Sequence, residues 1–170
     1  GEDLVPTSAQ TNNGTVSTIL RSGSKSGPVS IKAKYYHDTN ISTTTSQIAI
    51  NAGPPVGEEF GISAEYLNIS GLWIEGLKDN ISITAGDIYG NIVPDGTAIS
   101  FKTYNTGGVF SPNVANTIDG EAVNTLQSTD LPEPMQGFVF VTAEANNGGR
   151  TTHVTSIEVT PGNSDVLYVG

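Results

Sequence analysis

His37 and His153 are the only imidazoles in the 170-residue chain, and His37 is followed directly by Asp38. An imidazole beside a carboxylate, in a chain rich in hydroxyls, supplies most of what a hydrolytic triad needs. The remaining part is missing. No Gly-x-Ser-x-Gly elbow or other catalytic signature surrounds a hydroxyl, so the histidines read as surface residues. No catalytic and no cofactor-binding residue is assigned, and the chain is expected not to be an enzyme. Calcium is the more plausible chemistry, because Asp87, Asp95, Asp119, Asp130 and Glu133 fall in turn-like stretches and hard cations take clustered oxygens. No EF-hand or nonapeptide pattern orders these acids, and loop carboxylates commonly cap turns. Asp87, Asp95 and Asp119 stand as calcium candidates, with no other metal ligand. Asn13, Asn40, Asn68 and Asn80 each open an Asn-x-Ser/Thr tripeptide, and Asp38 stands two residues ahead of Asn40. In a chain this rich in Asn, Ser and Thr such matches arise by chance, and they are read as strand and turn residues.

The chain has no cysteine, which removes disulfides, thiolate nucleophiles and cysteine-ligated metals and fits an exported bacterial protein. Seventeen acids against seven basic residues give a formal charge of −10, so a basic footprint for nucleic acid is absent and anionic lipid is disfavoured. The acidity suits solubility at a crowded surface. No apolar run reaches membrane-spanning length, so membrane insertion is not expected. No signal peptide is visible, and the chain begins in mid-pattern, which suggests a processed or truncated start.

Short alternating segments must position whatever the chain presents. Ile99 and Phe101 share one face of a segment whose other face holds Ser100 and Lys102, and Ile81 and Ile83 alternate likewise. Turn signals recur at short intervals, among them Gly53-Pro54-Pro55, Gly90-Asn91, Pro94-Asp95-Gly96, Gly107-Gly108 and Asp119-Gly120. Many short strands with regular turns predict an all-β sandwich over residues 58–160, with about seven strands. Its inward residues are Ile83, Ile99, Phe101, Leu126, Val139, Val141 and Ile157.

The chain also repeats part of itself. Residues 6–20 align without gaps on 112–126, placing Pro6 on Pro112, Gly14 on Gly120 and Leu20 on Leu126. Residues 27–33 fall on 137–143, and 48–50 on 157–159. Such self-similarity marks tandem units. The second copy has an upstream section, about 57–107, that the first copy lacks.

The run Asp87-Ile-Tyr-Gly-Asn-Ile-Val-Pro-Asp-Gly-Thr-Ala-Ile-Ser-Phe101 resembles the signature of bacterial immunoglobulin-like domains of group 1, the invasin/intimin type. Gly107-Gly108, Thr117, Gly120 to Leu126, and the Gly-x-Val-x-Val-x-Ala pattern from Gly137 to Ala143 continue it in order. The resemblance implies an immunoglobulin-like β-sandwich acting as a structural or adhesive module outside a bacterial cell. The expected organisation is residues 1–52 as the C-terminal half of one module, 53–57 as linker, 58–160 as a complete module, and 161–170 as a strand or linker to the next. The expected setting is a multi-domain surface or secreted protein, extracellular or periplasmic, with neighbouring modules as partners. The alternative is a module that binds carbohydrate or a protein through its end loops, which a concave pocket lined by Trp73 or tyrosines would favour.

Interface expectations follow from the repeat. The half-module keeps Val29 and Ile31 on a core face but lacks the strands that should cover them. A short sheet with such a face bare does not stand alone. Three outcomes are open: truncation removed the front strands and left the half-module packed on the complete one, a partner chain or a cleaved piece of the same precursor completes it, or two copies pair their open faces; completion by another chain or cleaved piece is preferred. Asp165-Val-Leu-Tyr-Val169 alternates as a further strand. Phe138 and Phe140 point outward, whereas the outward neighbours in the first copy are Ser30 and Lys32, and they stand as a second candidate interface. Asn124 occupies an inward strand position, so either the strand ends before Leu126 or the amide bonds to backbone or water.

Overall fold

The computed structural model describes residues 1–69, 74–104, 107–129, 139–147 and 150–159, with side chains as far as Asn146. The chain divides into two compact units, Gly1–Ala52 and Gly53–Gly170.

In the first unit the strands are short and paired in twos. β1 (Asp3–Val5) pairs with β2 (Ile19–Arg21), β3 (Gly27–Val29) pairs with the later β6 (Ile48–Ile50), and β4 (Lys32–Lys34) pairs with β5 (Ser42–Thr44), all antiparallel. No residue of this unit is fully buried. Its apolar positions alternate correctly, yet there is no second layer for them to face.

In the second unit a single 3-10 turn (Gly57–Glu59) precedes eight described strands. They are β7 (Phe60–Ala64), β8 (Lys78–Ala85), β9 (Ala98–Tyr104), β10 (Gly108–Phe110), β11 (Val114–Asn116), β12 (Glu121–Ser128), β13 (Val139–Asn147) and β14 (Arg150–Val159). One sheet runs β10-β12-β8-β7 and the other β11-β9-β13-β14, with every pairing antiparallel. Ile81, Ile83, Ala122 and Leu126 of the first sheet, and Ile99, Phe101, Val139, Val141, Ala143 and Ala145 of the second, lie within one buried cluster. This is what period-2 alternation dictates when two sheets stack by one face each. Phe101 and Phe110 fill the centre with ring centroids 5.3 Å apart. Gly108 lies so close to this core that a Cβ there would sit 2.9 Å from the end of the Leu126 side chain and 3.2 Å from Val139, so a larger residue would press on both. The inward residues read from the sequence are buried as expected, except Ile157, whose side chain lies outside the described residues.

The two units share the local geometry of one hairpin and its turn. Leu4 opposes Leu20 across β1–β2, and Phe110 opposes Leu126 across β10–β12, the same register at an offset of 106. Asn13 and Gly14 adopt left-handed backbone at φ 49° and 80°, and Asp119 and Gly120 do so at 51° and 76°. In each turn the flanking residues exchange two backbone hydrogen bonds, Asn12 with Thr15 and Ile118 with Glu121. This two-residue turn needs positive φ at both positions, which Asn-Gly and Asp-Gly tolerate best. The later hairpins share a one-residue register slip, between Val141 and Ala143 in the second unit and between the β3–β6 and β4–β5 pairings in the first, but not the register itself: Val29 opposes Ile48 where Val139 opposes Val159, two residues from the sequence alignment.

Candidate functional site

Among the candidate chemistry-bearing residues, Asp87 has the most constructed surroundings. It lies in the loop that follows β8, where Gly90 at φ 75° lets the chain fold back. Its carboxylate is buried and accepts hydrogen bonds from Gly53 N at 2.8 Å, Tyr89 N at 2.9 Å, Asn91 N at 2.9 Å, and the Asn91 side-chain amide at 2.9 and 3.1 Å. Burial alone would push its carboxyl up. The donors outweigh burial, led by the Asn91 amide and then Gly53 N, and hold it down at about 2. The loop is thereby fastened to the start of the unit, where Val56 N also donates to Gly86 O at 3.0 Å. An oxygen already taken by N–H donors is poorly placed to ligate calcium.

Asp95 and Asp119 meet differently: Asp95 Oδ1 accepts the Asp119 amide at 2.8 Å, one turn pinning another. No group of three or more acidic or histidine side chains fit to hold a metal occurs among the described residues. Asp130 and Glu133 lie outside them. His37 belongs to the β4–β5 hairpin tip of the first unit, and His153 lies on β14, whose side chains are not described.

Asp79 was missed by sequence reading. It is buried at the start of β8, with Oδ1 accepting Tyr66 N at 3.0 Å and Oδ2 without a partner. Burial, reinforced by the nearby Glu65 charge, raises its carboxyl above the usual range, although the Tyr66 amide opposes this.

Of the interface candidates, Val29 and Ile31 are half-buried, whereas their counterparts Val139 and Val141 are fully buried. Phe140 is exposed on the outer sheet face directly opposite Tyr104. Phe138, Trp73 and residues 161–170 lie outside the described residues. Asn124 sits mid-strand: its amide donates to Pro112 O at 3.0 Å and its Oδ1 accepts Thr125 N at 2.8 Å. Thr18, its counterpart in the first unit, donates to Pro6 O at 2.7 Å. A shallow depression of about 210 Å³ on the outer face of the β10-β12-β8-β7 sheet is lined by Lys78, Val109, Ser111, Thr125 and Gln127, with no tyrosine among them.

No family model matches the chain, and no curated protein matches it. Solved structures do. Invasin, described as a bacterial integrin-binding protein, aligns over 94% of this chain at 19% identity and a TM-score of 0.51; the chain spans 30% of invasin. The D00-D0 and D0-D1 domains of intimin align over the same share at 19% identity, with TM-scores of 0.46 and 0.44 and 78% and 76% of their lengths covered. The likeness to invasin shows that the chain has the immunoglobulin-like fold of the invasin/intimin type of bacterial domain.

Proposed function

We propose that this chain is a non-catalytic, adhesive segment of a multi-domain bacterial surface or secreted protein, in which residues 1–52 form the back half of one module and 58–160 a complete one. Invasin is named for binding integrin. What is carried over from it is the general role of an exposed adhesive module, not that particular partner.

One observation carries the half-module reading. The first unit repeats the β10–β12 register and its turn, yet Leu20 and Val29 are half-exposed where Leu126 and Val139 are buried. In the second unit β8 covers the flank of β12, and β9 covers that of β13. Strands of the β7–β9 pattern fit the same two flanks in the first unit, by addition to open edges. In the reading proposed, another chain or a piece of the same precursor supplies them.

Light scattering and intact mass of the protein purified from the cells that make it test this. A particle heavier than the 17.7 kDa chain, containing a second polypeptide of that strand pattern, is expected. A lone 17.7 kDa chain whose Val29 and Ile31 amides exchange freely overturns completion by another chain. So does a particle of two identical chains, which means the open faces pair with each other.

A further inference from the structure

The repeat provides an internal control for the tip of the β4–β5 hairpin. Lys32 and Lys34 stand two apart on β4, so both leave the same face of the strand, and both are exposed. Tyr36 follows two residues later and is 89% exposed. The His37 ring meets Tyr36 edge-on at 5.3 Å and 83°, and meets Tyr35 at 5.5 Å and 62°. The loop is closed by Tyr35 N to Ile41 O at 2.9 Å, Ile41 N to Asp38 O at 3.0 Å, and Asn40 N to Asp38 Oδ1 at 3.0 Å. The rings therefore stand on a preformed turn, which lowers the ordering cost of binding.

None of this is demanded by the fold. At the aligned positions the second unit has Thr142, Glu144 and Asn146 in place of Lys32, Lys34 and Tyr36. Glu144 there forms an ion pair with Lys102. Charge follows the same division. Arg21, Lys25, Lys32 and Lys34 oppose Glu2, Asp3 and Asp38 in the first unit, a formal +1, which leaves −11 of the chain's −10 to the second. Tyr35 aligns with the buried Ala145 and so belongs to the face that a completed module would cover; Lys32 aligns with Thr142, which is buried on the opposite face of its strand.

We propose that Lys32, Lys34, Tyr36 and His37 form a binding site for an acidic saccharide, with the aromatic rings stacking on a sugar face and the lysines receiving its carboxylate. An aromatic ring with a polar tip suits a ligand that is apolar on its C–H face and wet at its rim. The paired ammonium groups select a negatively charged sugar over a neutral one. The size of the patch favours a saccharide over a protein, since a stable protein interface takes about 20–30 residues a side. The site rests on the adhesive reading and names its ligand class.

Titration of the 170-residue chain by NMR with 3′-sialyllactose and with a glucuronate disaccharide tests the site and separates the two sources of carboxylate. Lactose and a polyglutamate peptide serve as comparators. At least one acidic sugar is expected to bind at millimolar concentration, more tightly than lactose. Tyr36→Ala should weaken it about tenfold, roughly the loss of one aromatic contact. Lys32→Ala with Lys34→Ala should weaken it about threefold and reduce its salt dependence. Tyr89→Ala, at an exposed tyrosine of the second unit, should leave it unchanged. Unchanged binding by Tyr36→Ala overturns the proposal, and so does tighter binding of polyglutamate than of either sugar. If neither sugar binds while beads coated with the chain still adhere to cells, the site falls and the adhesive reading stands. If nothing adheres, both fall.

Discussion

The hairpin β1–β2 and the hairpin β10–β12 are nearly the same object in two circumstances. Both pair Leu with a large apolar residue at the same register, and both turn through an Asx-Gly pair in left-handed conformation. In the second unit β12 runs for eight residues because β8 hydrogen-bonds along it from Glu121 to Gln127. In the first unit β2 is three residues long, and Val16, which the repeat places on the core face, is 52% exposed. Local sequence thus sets the turn and the register, while the neighbouring strand sets how far the strand extends and whether its apolar face is buried. A hairpin by itself is marginal, and a second layer is what makes it stable.

Paired truncations strain this comparison hardest. Leu126→Ala should destabilise the second unit by about 2–5 kcal/mol through lost burial and a residual cavity. Leu20→Ala should cost less than about 1 kcal/mol in the isolated chain, because its side chain is already half-exposed. Urea unfolding of both variants checks the ratio. In a completed half-module the two costs should converge, and equal costs in the isolated chain would mean that the first unit already has its core.

The Asp87 loop is next in size. Asp87→Ala removes the buried acceptor of several partly buried N–H groups, so a loss of about 1–3 kcal/mol is expected, localised to the second unit. Its carboxyl is held at about 2, below the ordinary value. The stability it contributes is therefore complete above the unfolded-state pKa, near about 4, and is lost as pH falls towards 2. Thermal melts between pH 7 and 2 should show that acid-dependent loss reduced in Asp87→Asn.

Asn124→Ala removes the bond to Pro112 O from a half-buried site and should cost about 1 kcal/mol, whereas Thr18→Ala removes the matching exposed bond and should cost no more than about 0.5 kcal/mol. Asp79→Asn has the opposite sign. With its carboxyl raised by burial, Asp79 favours the folded state while protonated, and that contribution is lost as pH rises through its raised value. The variant should therefore melt slightly higher than wild type at pH 7, by an amount that fades towards pH 3.

What was legible in the sequence was whatever alternation and turn chemistry control. Ile99, Phe101, Val139 and Val141 declare their face through their neighbours, and the Asp87-to-Phe101 run identifies the loop and strand that it forms. Asp79 was within reach too, since it shares the parity of Ile81 and Ile83, but a carboxylate at that position does not continue the apolar alternation. The partner of Asp87 was out of reach. Gly53 lies 34 residues away, and backbone N–H groups leave no mark on composition. The aromatic-basic hairpin tip was hidden for another reason: Lys34 and Tyr36 gain meaning only once the repeat aligns them with Glu144 and Asn146 in a common geometry.

The fastening at Asp87 has a mechanical consequence should the chain be pulled from its amino-terminal side. Tension arriving from residues ahead of Gly53 first meets the Gly53–Asp87 bond, then the Val56–Gly86 bond, and then the Gly86–Glu59 bond at 2.7 Å, before it reaches the β7–β8 ladder. Antiparallel hydrogen bonds of this kind lie across the chain direction, and each must break before the next is loaded in turn. The entry to the second unit is thus a grip, and the ionised Asp87 carboxylate is its outermost jaw.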